Sequence, residues 1–197
     1  MRQDGFDEVR TQDVMVPVWE RGEESATLTA PAKRVLPMLG LGNSVGTPEQ
    51  GIEAEVVVVR SFEELREQRD RISGRIVLFN VPFETYGKTV IFRTNGAIEA
   101  ARYGAVASLI RSVGPFSLQT PHTGNSSYME VLPKIPQAAI TSEDAMWMQR
   151  MADRGETIRV HLRMQARPLP DRKSRNIIAD LKGSEFPEEV IVLGGHI

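Results

Sequence analysis

Two short apolar runs in the middle of the chain, Ile76-Val77-Leu78-Phe79 and Ala105-Val106-Ala107-Ser108-Leu109-Ile110, limit what it can fold into. Each is too brief for a helix. Gly74 and Pro82 bound the first, and Gly104 precedes the second. Runs of that length between breakers read as strands buried on both faces. Between them, Asn95 is placed as an N-cap. Ala97, Ile98, Ala100 and Ala101 then predict a small-residue helix stopped by Gly104. Strand, connection, helix and strand within ~40 residues make a βαβ unit with a right-handed crossover. The fold class is α/β. Alanines on the inner face let the helix lie close on the sheet, leaving little room between for a ligand. This stretch is a packing core, not a catalytic motif.

Bulk properties exclude several functions. A formal charge of -2 with no basic cluster argues against a nucleic-acid partner. No apolar run approaches the ~18–20 residues of a membrane span. The charged opening MRQDGFDEVR is not the apolar centre of a signal peptide. The absence of cysteine rules out disulfides, a thiol nucleophile and a Cys-based zinc site.

On the N-terminal side of the unit, Val14, Val16 and Val18 alternate as in a strand, with Pro17 at an edge or bulge. A second strand is expected around Leu28. Glu23 and Glu24 are adjacent, so on an extended chain they point apart and read as a solvated turn. Gly40, Gly42, Gly46 and Gly51 resemble a phosphate cradle. The dinucleotide fingerprint, however, needs a helix directly after its glycines, and here Thr47-Pro48 and the strand 55–59 follow. A turn-rich loop over 38–51 is the simpler reading. Ser61 and Glu64 form a capping box for a helix over 61–73.

On the C-terminal side, residues 114–136 are rich in Pro, Gly and Ser and predict a long surface loop. His122 lies in it, ordinarily a solvated position. Asn125-Ser126-Ser127 is a glycosylation sequon, meaningful in a secretory protein. A strand at 138–140 leads to a second capping box, Thr141 and Asp144, opening a helix to Gly155. TIRVHLRMQAR alternates, with Val160, Leu162 and Met164 inward and His161 outward. PLPDRKS (168–174) reads as a linker. NIIADL (176–181) and VIVL (190–193) read as strands, the second running into Gly194-Gly195-His196-Ile197.

That last stretch, NIIADLKGSEFPEEVIVLGGHI, resembles the opening of the catalytic domain in the co-catalytic zinc aminopeptidase and carboxypeptidase family. VWERGEESA, LGLGNSVGTPEQGI, RTNGAIEAARYGAVASLIRSV, TPHTG and PKIPQAAIT extend the likeness along essentially the whole chain, into the protease-associated domain that some members carry as an insertion. The resemblance implies a mixed sheet or open barrel with flanking helices over 21–167. Residues 1–20 and 168–197 would be partial strands of a zinc-peptidase α/β catalytic domain, and Met1 an internal methionine of a longer protein.

The resemblance also implies the function. The parent would be a zinc carboxypeptidase or dipeptidase acting on dipeptides with free termini, with two zinc ions. It would be homodimeric, and secreted or held in lysosomal and secretory compartments. Of its metal ligands only His196, from the Gly-Gly-His motif, can be carried over. The bridging Asp, the Glu pair and the remaining ligands follow that motif in the family, so no catalytic residue is expected in this chain and Glu188-Glu189, which precede it, are not that pair. Zinc hydrolysis needs three or four protein ligands and a base, so the chain alone is expected to be inactive. Arg93, Asn95 and His122 are candidates for lending contacts to a substrate pocket. The alternative is a stand-alone interaction or substrate-lid module without catalysis.

Overall fold

The computed structural model describes residues 3–195. The chain forms two compact units: Trp19–Leu169, and the segments up to Val18 and from Pro170 onward taken together.

The elements in chain order are β1 (Glu8–Glu20), β2 (Glu24–Ala30), β3 (Arg34–Leu36), β4 (Met38–Gly40), β5 (Ile52–Val59), α1 (Phe62–Glu67) and β6 (Ile76–Phe79). Then come α2 (Tyr86–Ala101), β7 (Ala107–Arg111), β8 (Gln137–Ile140), α3 (Ser142–Asp153), β9 (Arg159–Met164) and β10 (Arg167–Asp180). In the larger unit eight strands form one mixed sheet in the order β3-β2-β9-β5-β6-β7-β8-β4. Strands β5, β6, β7 and β8 run parallel to one another, while β9 pairs antiparallel with β5 and β2, β2 with β3, and β4 with β8. The expected βαβ unit is β6–α2–β7, registered from Ile76↔Ala107 to Phe79↔Ile110.

Alternation along these strands builds two cores. Val56, Val58, Leu78, Leu109 and Ile140 pack in one layer with Ala145 and Met148 of α3. Val57, Val59, Val77, Phe79 and Ile110 pack in the other with Ala97, Ala100 and Ala101 of α2. The last strand in the order returns toward β2, where the Glu24 carboxylate accepts from the Gly40 N–H at 2.9 Å. The sheet therefore curls into an open barrel with flanking helices. Glu24 is a strand residue with its side chain only 10% exposed, not part of a solvated turn. Glu23 points away, 3.7 Å from Arg163.

Four local expectations change. Helix α2 starts at Tyr86, capped by Thr85, whose hydroxyl accepts from the Lys88 N–H, so Asn95 is not an N-cap but a mid-helix residue. Weak helix formers at 95–96 are tolerated because the helix touches the sheet there. A Cβ on Gly96 would lie 2.8 Å from Gln137 Nε2 and 3.1 Å from Phe79 Cε2. Helix α1 ends at Glu67, and one 3-10 turn, Arg69–Arg71, carries the chain to the buried Ile72. Its cap forms as read, with Ser61 Oγ accepting from the Glu64 N–H at 3.0 Å, but the Glu64 carboxylate reaches back to the Arg60 N–H at 2.7 Å. Part of the 38–51 loop is β4, paired with β8 from Met38↔Ile140 to Gly40↔Ala138.

The fourth change concerns the smaller unit. The segment 168–174 lies within β10 and is no linker. It pairs with β1 in a two-stranded ribbon, and Asp13 of β1 meets Lys173 at 2.6 Å and Arg175 at 3.1 Å. Val190 to Leu193 form no strand and stand between 81% and 91% exposed. An apolar run becomes a strand only against a neighbour that supplies its hydrogen bonds, and among the described residues none does.

Candidate functional site

Loops 40–46 and 122–128 are knitted by backbone: the Gly42 N–H donates to the Gly124 carbonyl at 2.8 Å, and the Ser126 N–H to the Gly42 carbonyl at 2.8 Å. A Cβ on Gly42 would meet the end of the exposed Asn125 side chain, which would have to turn aside, while the Gly124 carbonyl stays at 3.5 Å. Ser126 is buried and its hydroxyl bonds Gln137 Oε1 on β8. Tyr128 anchors the far end, donating to the Ile135 carbonyl at 2.8 Å and accepting from the Val45 N–H at 3.1 Å. Burial raises its phenol above the ordinary tyrosine value.

Two arginines flank Thr123. Arg93, from α2, donates through Nη1 to the Thr123 carbonyl at 3.3 Å and through Nη2 to Tyr86 Oη at 2.7 Å. It also lies over the Tyr86 ring, 5.5 Å from its centroid. Arg21 donates to the Gly40 carbonyl at 3.2 Å and to Thr123 Oγ1 at 3.4 Å, and sits 5.3 Å from the Trp19 ring. Its Nε lies 3.6 Å from Glu24 Oε1. Burial pushes the Glu24 carboxyl up, while the Gly40 N–H and Arg21 pull it partly back.

Of the residues singled out from sequence, Arg93 therefore contacts the loop that carries His122. The His122 ring turns the other way. Its backbone N–H donates to Ser112 Oγ at 2.9 Å, and Nδ1 lies 3.3 Å from the Val113 carbonyl, where the Nδ1–H tautomer would donate. Asn125 is exposed at the Gly42 bridge. Asn95 is exposed on α2, and its side chain makes no hydrogen bond among the described residues. His196 lies outside the described residues.

Sequence reading missed Arg21, Tyr86 and Thr123. Tyr86 and Arg93 share a face seven residues apart, which the Thr85 cap could have revealed. The meeting of Arg21, Gly40 and Thr123 carries no local signal. Among the described residues, no three His, Cys, Asp or Glu come together in a set that could hold a metal ion. What the cluster offers is two arginines, one from α2 and one just after β1, whose hydrogen bonds to Gly40 and Thr123 hold the 122–128 loop in place.

Comparison with known proteins places this geometry. No protein-family model matches the chain. All 197 residues align with carboxypeptidase Q from mouse at 50% identity, from human at 49% and from Xenopus laevis at 51%. The chain spans 42% of the length of each. A peptidase M28 precursor from Shewanella amazonensis superposes with a TM-score of 0.88 at 33% identity, over 93% of this chain and 43% of that one. An aminopeptidase from Aneurinibacillus sp. strain AM-1 shares the fold, with a TM-score of 0.65 at 17% identity, over 96% of this chain and 42% of that one. No helix among the described residues is long and apolar enough to cross a membrane. The chain is thus homologous from end to end to carboxypeptidase Q, and it has the fold of the matching part of an M28 peptidase.

Proposed function

We propose that this chain is part of a zinc-dependent carboxypeptidase or dipeptidase that hydrolyses dipeptides with free termini. Residues 21–167 are its inserted, non-catalytic protease-associated domain, and the flanking segments are strands of its catalytic domain. The observation that carries this reading is whole-length identity near 50% to carboxypeptidase Q, of which the chain covers 42%. The compact unit Trp19–Leu169 supports the division. In the whole protein His196 would be one zinc ligand, and two zinc ions would supply Lewis-acid activation of water. The protein is a homodimer of the secretory or lysosomal route, where Asn125, exposed in a sequon, is open to glycosylation.

This chain's own contribution is positioning. The loop braced by Arg21 and Arg93, which carries His122, acts as part of a substrate lid, with Asn95 on the same helix as Arg93. Steady-state kinetics of the full-length protein on a free dipeptide test both levels. Activity should fall with a zinc chelator and return with zinc, and Arg93→Ala should raise KM about tenfold, the loss of one charge-assisted contact. Chelator-resistant turnover would remove the peptidase class, while unchanged KM in Arg93→Ala, Asn95→Ala and His122→Ala would remove the lid and leave the class standing. A module that acts only through protein contacts, without catalysis, is the outcome if the full-length protein hydrolyses nothing.

A further inference from the structure

Two polar side chains at the C-terminal ends of β6 and β7 are only partly used by the fold. Asn80 and Arg111 each stand one position past the paired Phe79 and Ile110, so they are neighbours across the ladder. Alternation sends both to the α3 side, since Leu78 and Leu109, two residues earlier, pack with Ala145 and Met148. Asn80 is 6% exposed.

A relay fixes how Asn80 points. Its Nδ2 donates to Gln149 Oε1 at 3.3 Å, Gln149 Nε2 donates to Asp153 Oδ1 at 2.9 Å, and Arg60 Nη2 donates to that same oxygen at 3.3 Å. A carboxylate paired with arginine can only accept, so Gln149 must present its NH2 to Asp153 and its carbonyl to Asn80. Asn80 must then turn its NH2 to Gln149. Its Oδ1 is left buried, with no donor among the described residues.

Arg111 has the opposite surplus. It is half-buried, its Nε is buried without an acceptor, and its guanidinium makes no hydrogen bond or ion pair within 4.0 Å among the described residues. The neighbouring acid, Glu143, is engaged elsewhere: it accepts from the N–H groups of Ser117 and Leu118, each at 3.1 Å, and of Gln119 at 3.4 Å. Burial lowers Arg111 from the ordinary guanidinium value, and the charge of Glu143 offsets this only in part. A cation and a carbonyl oxygen, both wanting partners, thus sit side by side at the carboxyl ends of parallel strands, the edge where open α/β sheets take ligands.

We propose that Asn80 and Arg111 form a binding site for an amide-bearing carboxylate, the chemistry of a peptide C-terminus. The guanidinium takes the carboxylate side-on through Nε and an Nη, and Asn80 Oδ1 accepts the adjacent amide N–H. A simple carboxylate satisfies one point only, and an uncharged amide leaves the guanidinium alone. The site stands whether or not the peptidase reading does, because its test reads binding by this chain.

That test is an amide-resolved NMR titration of the 197-residue chain with N-acetylglycine, alongside acetate and N-acetylglycinamide. N-acetylglycine should give saturable shifts at Asn80, Arg111, Ser112 and Gln149, with either single-point probe binding about tenfold more weakly. Asn80→Asp puts a negative charge where the ligand carboxylate approaches and should abolish the shifts. Arg111→Gln, at a half-buried position outside the core, should do so with the rest of the spectrum unchanged. No saturable response, acetate binding as tightly as N-acetylglycine, or undiminished binding by a folded Arg111→Gln variant would each overturn the site.

Discussion

Thr85 and Asn95 are both cap-type residues, and their context assigns them opposite roles. Thr85 accepts from the Lys88 N–H at the start of α2, while Asn95 is an exposed interior residue of the same helix. Thr85→Ala should cost about 1 kcal/mol. Asn95→Ala should instead stabilise by ~0.5 kcal/mol, because alanine is the better interior residue. Urea unfolding separates the two, and a helix that began at Asn95 would reverse the order. The true cap was hidden because Gly87, Thr89 and Val90 follow it, all weak helix formers. Tertiary packing decides the start.

Two carboxylates at this same scale titrate in opposite senses. Glu24 is raised by burial, so the folded state favours its protonated form. Its contribution is fully present in acid, below the unfolded pKa, and is lost as pH rises through the folded value. Glu24→Gln keeps an acceptor for the Gly40 N–H and removes the buried charge. Its Tm should therefore exceed the parent's at neutral pH, and the gain should vanish in acid. Burial would raise Glu143 too, but the N–H groups of Ser117, Leu118 and Gln119 outweigh it and lower the carboxyl. Its contribution is present above the unfolded pKa and lost as pH falls through the folded value. Glu143→Gln should cost about 1 kcal/mol at neutral pH, less than the ~1.5–3 kcal/mol of a charged hydrogen bond because solvent screens a partly exposed group, and that difference should shrink below about pH 4. Thermal melts across this pH range check both.

Among the elements, α2 shows how close packing overrides propensity. Gly96→Ala improves the helix former by ~1 kcal/mol but drives a methyl against Gln137 and Phe79. A net loss of about 1–2 kcal/mol is expected from overpacking. Gly87→Ala, with nothing within 4 Å of its added Cβ, should stabilise by ~0.5 kcal/mol. Chemical denaturation of the pair distinguishes contact from propensity. The strands of the βαβ unit, the alternation of β9 and the caps of α1 and α3 were all legible locally, because period and capping residues lie within a few positions of one another. The charged stretch 168–174 was not. Its partner, Asp13, is ~160 residues away, and pairing with β1 makes a strand of what composition marks as a linker. Val190 to Leu193 erred in the other direction, with strand composition and no strand to join.

For the whole molecule, the sequence carried the family resemblance and the mixed, curled sheet, whereas the cluster of Arg21, Gly40 and Thr123 appeared only in three dimensions. Trp19–Leu169 holds both cores and should behave as the cooperative unit. Amide exchange should show its strands strongly protected, with residues 3–18 and 170–195, a two-stranded ribbon and irregular chain, exchanging far faster. Uniform protection across all described residues would contradict that division. The assignment of this segment to the non-catalytic part of a zinc peptidase is tested most directly by offering the purified 197-residue chain zinc and a dipeptide with free termini. Amino-acid release should not exceed the zinc-only blank. Zinc-dependent turnover that a chelator stops and His196→Ala abolishes would contradict the assignment.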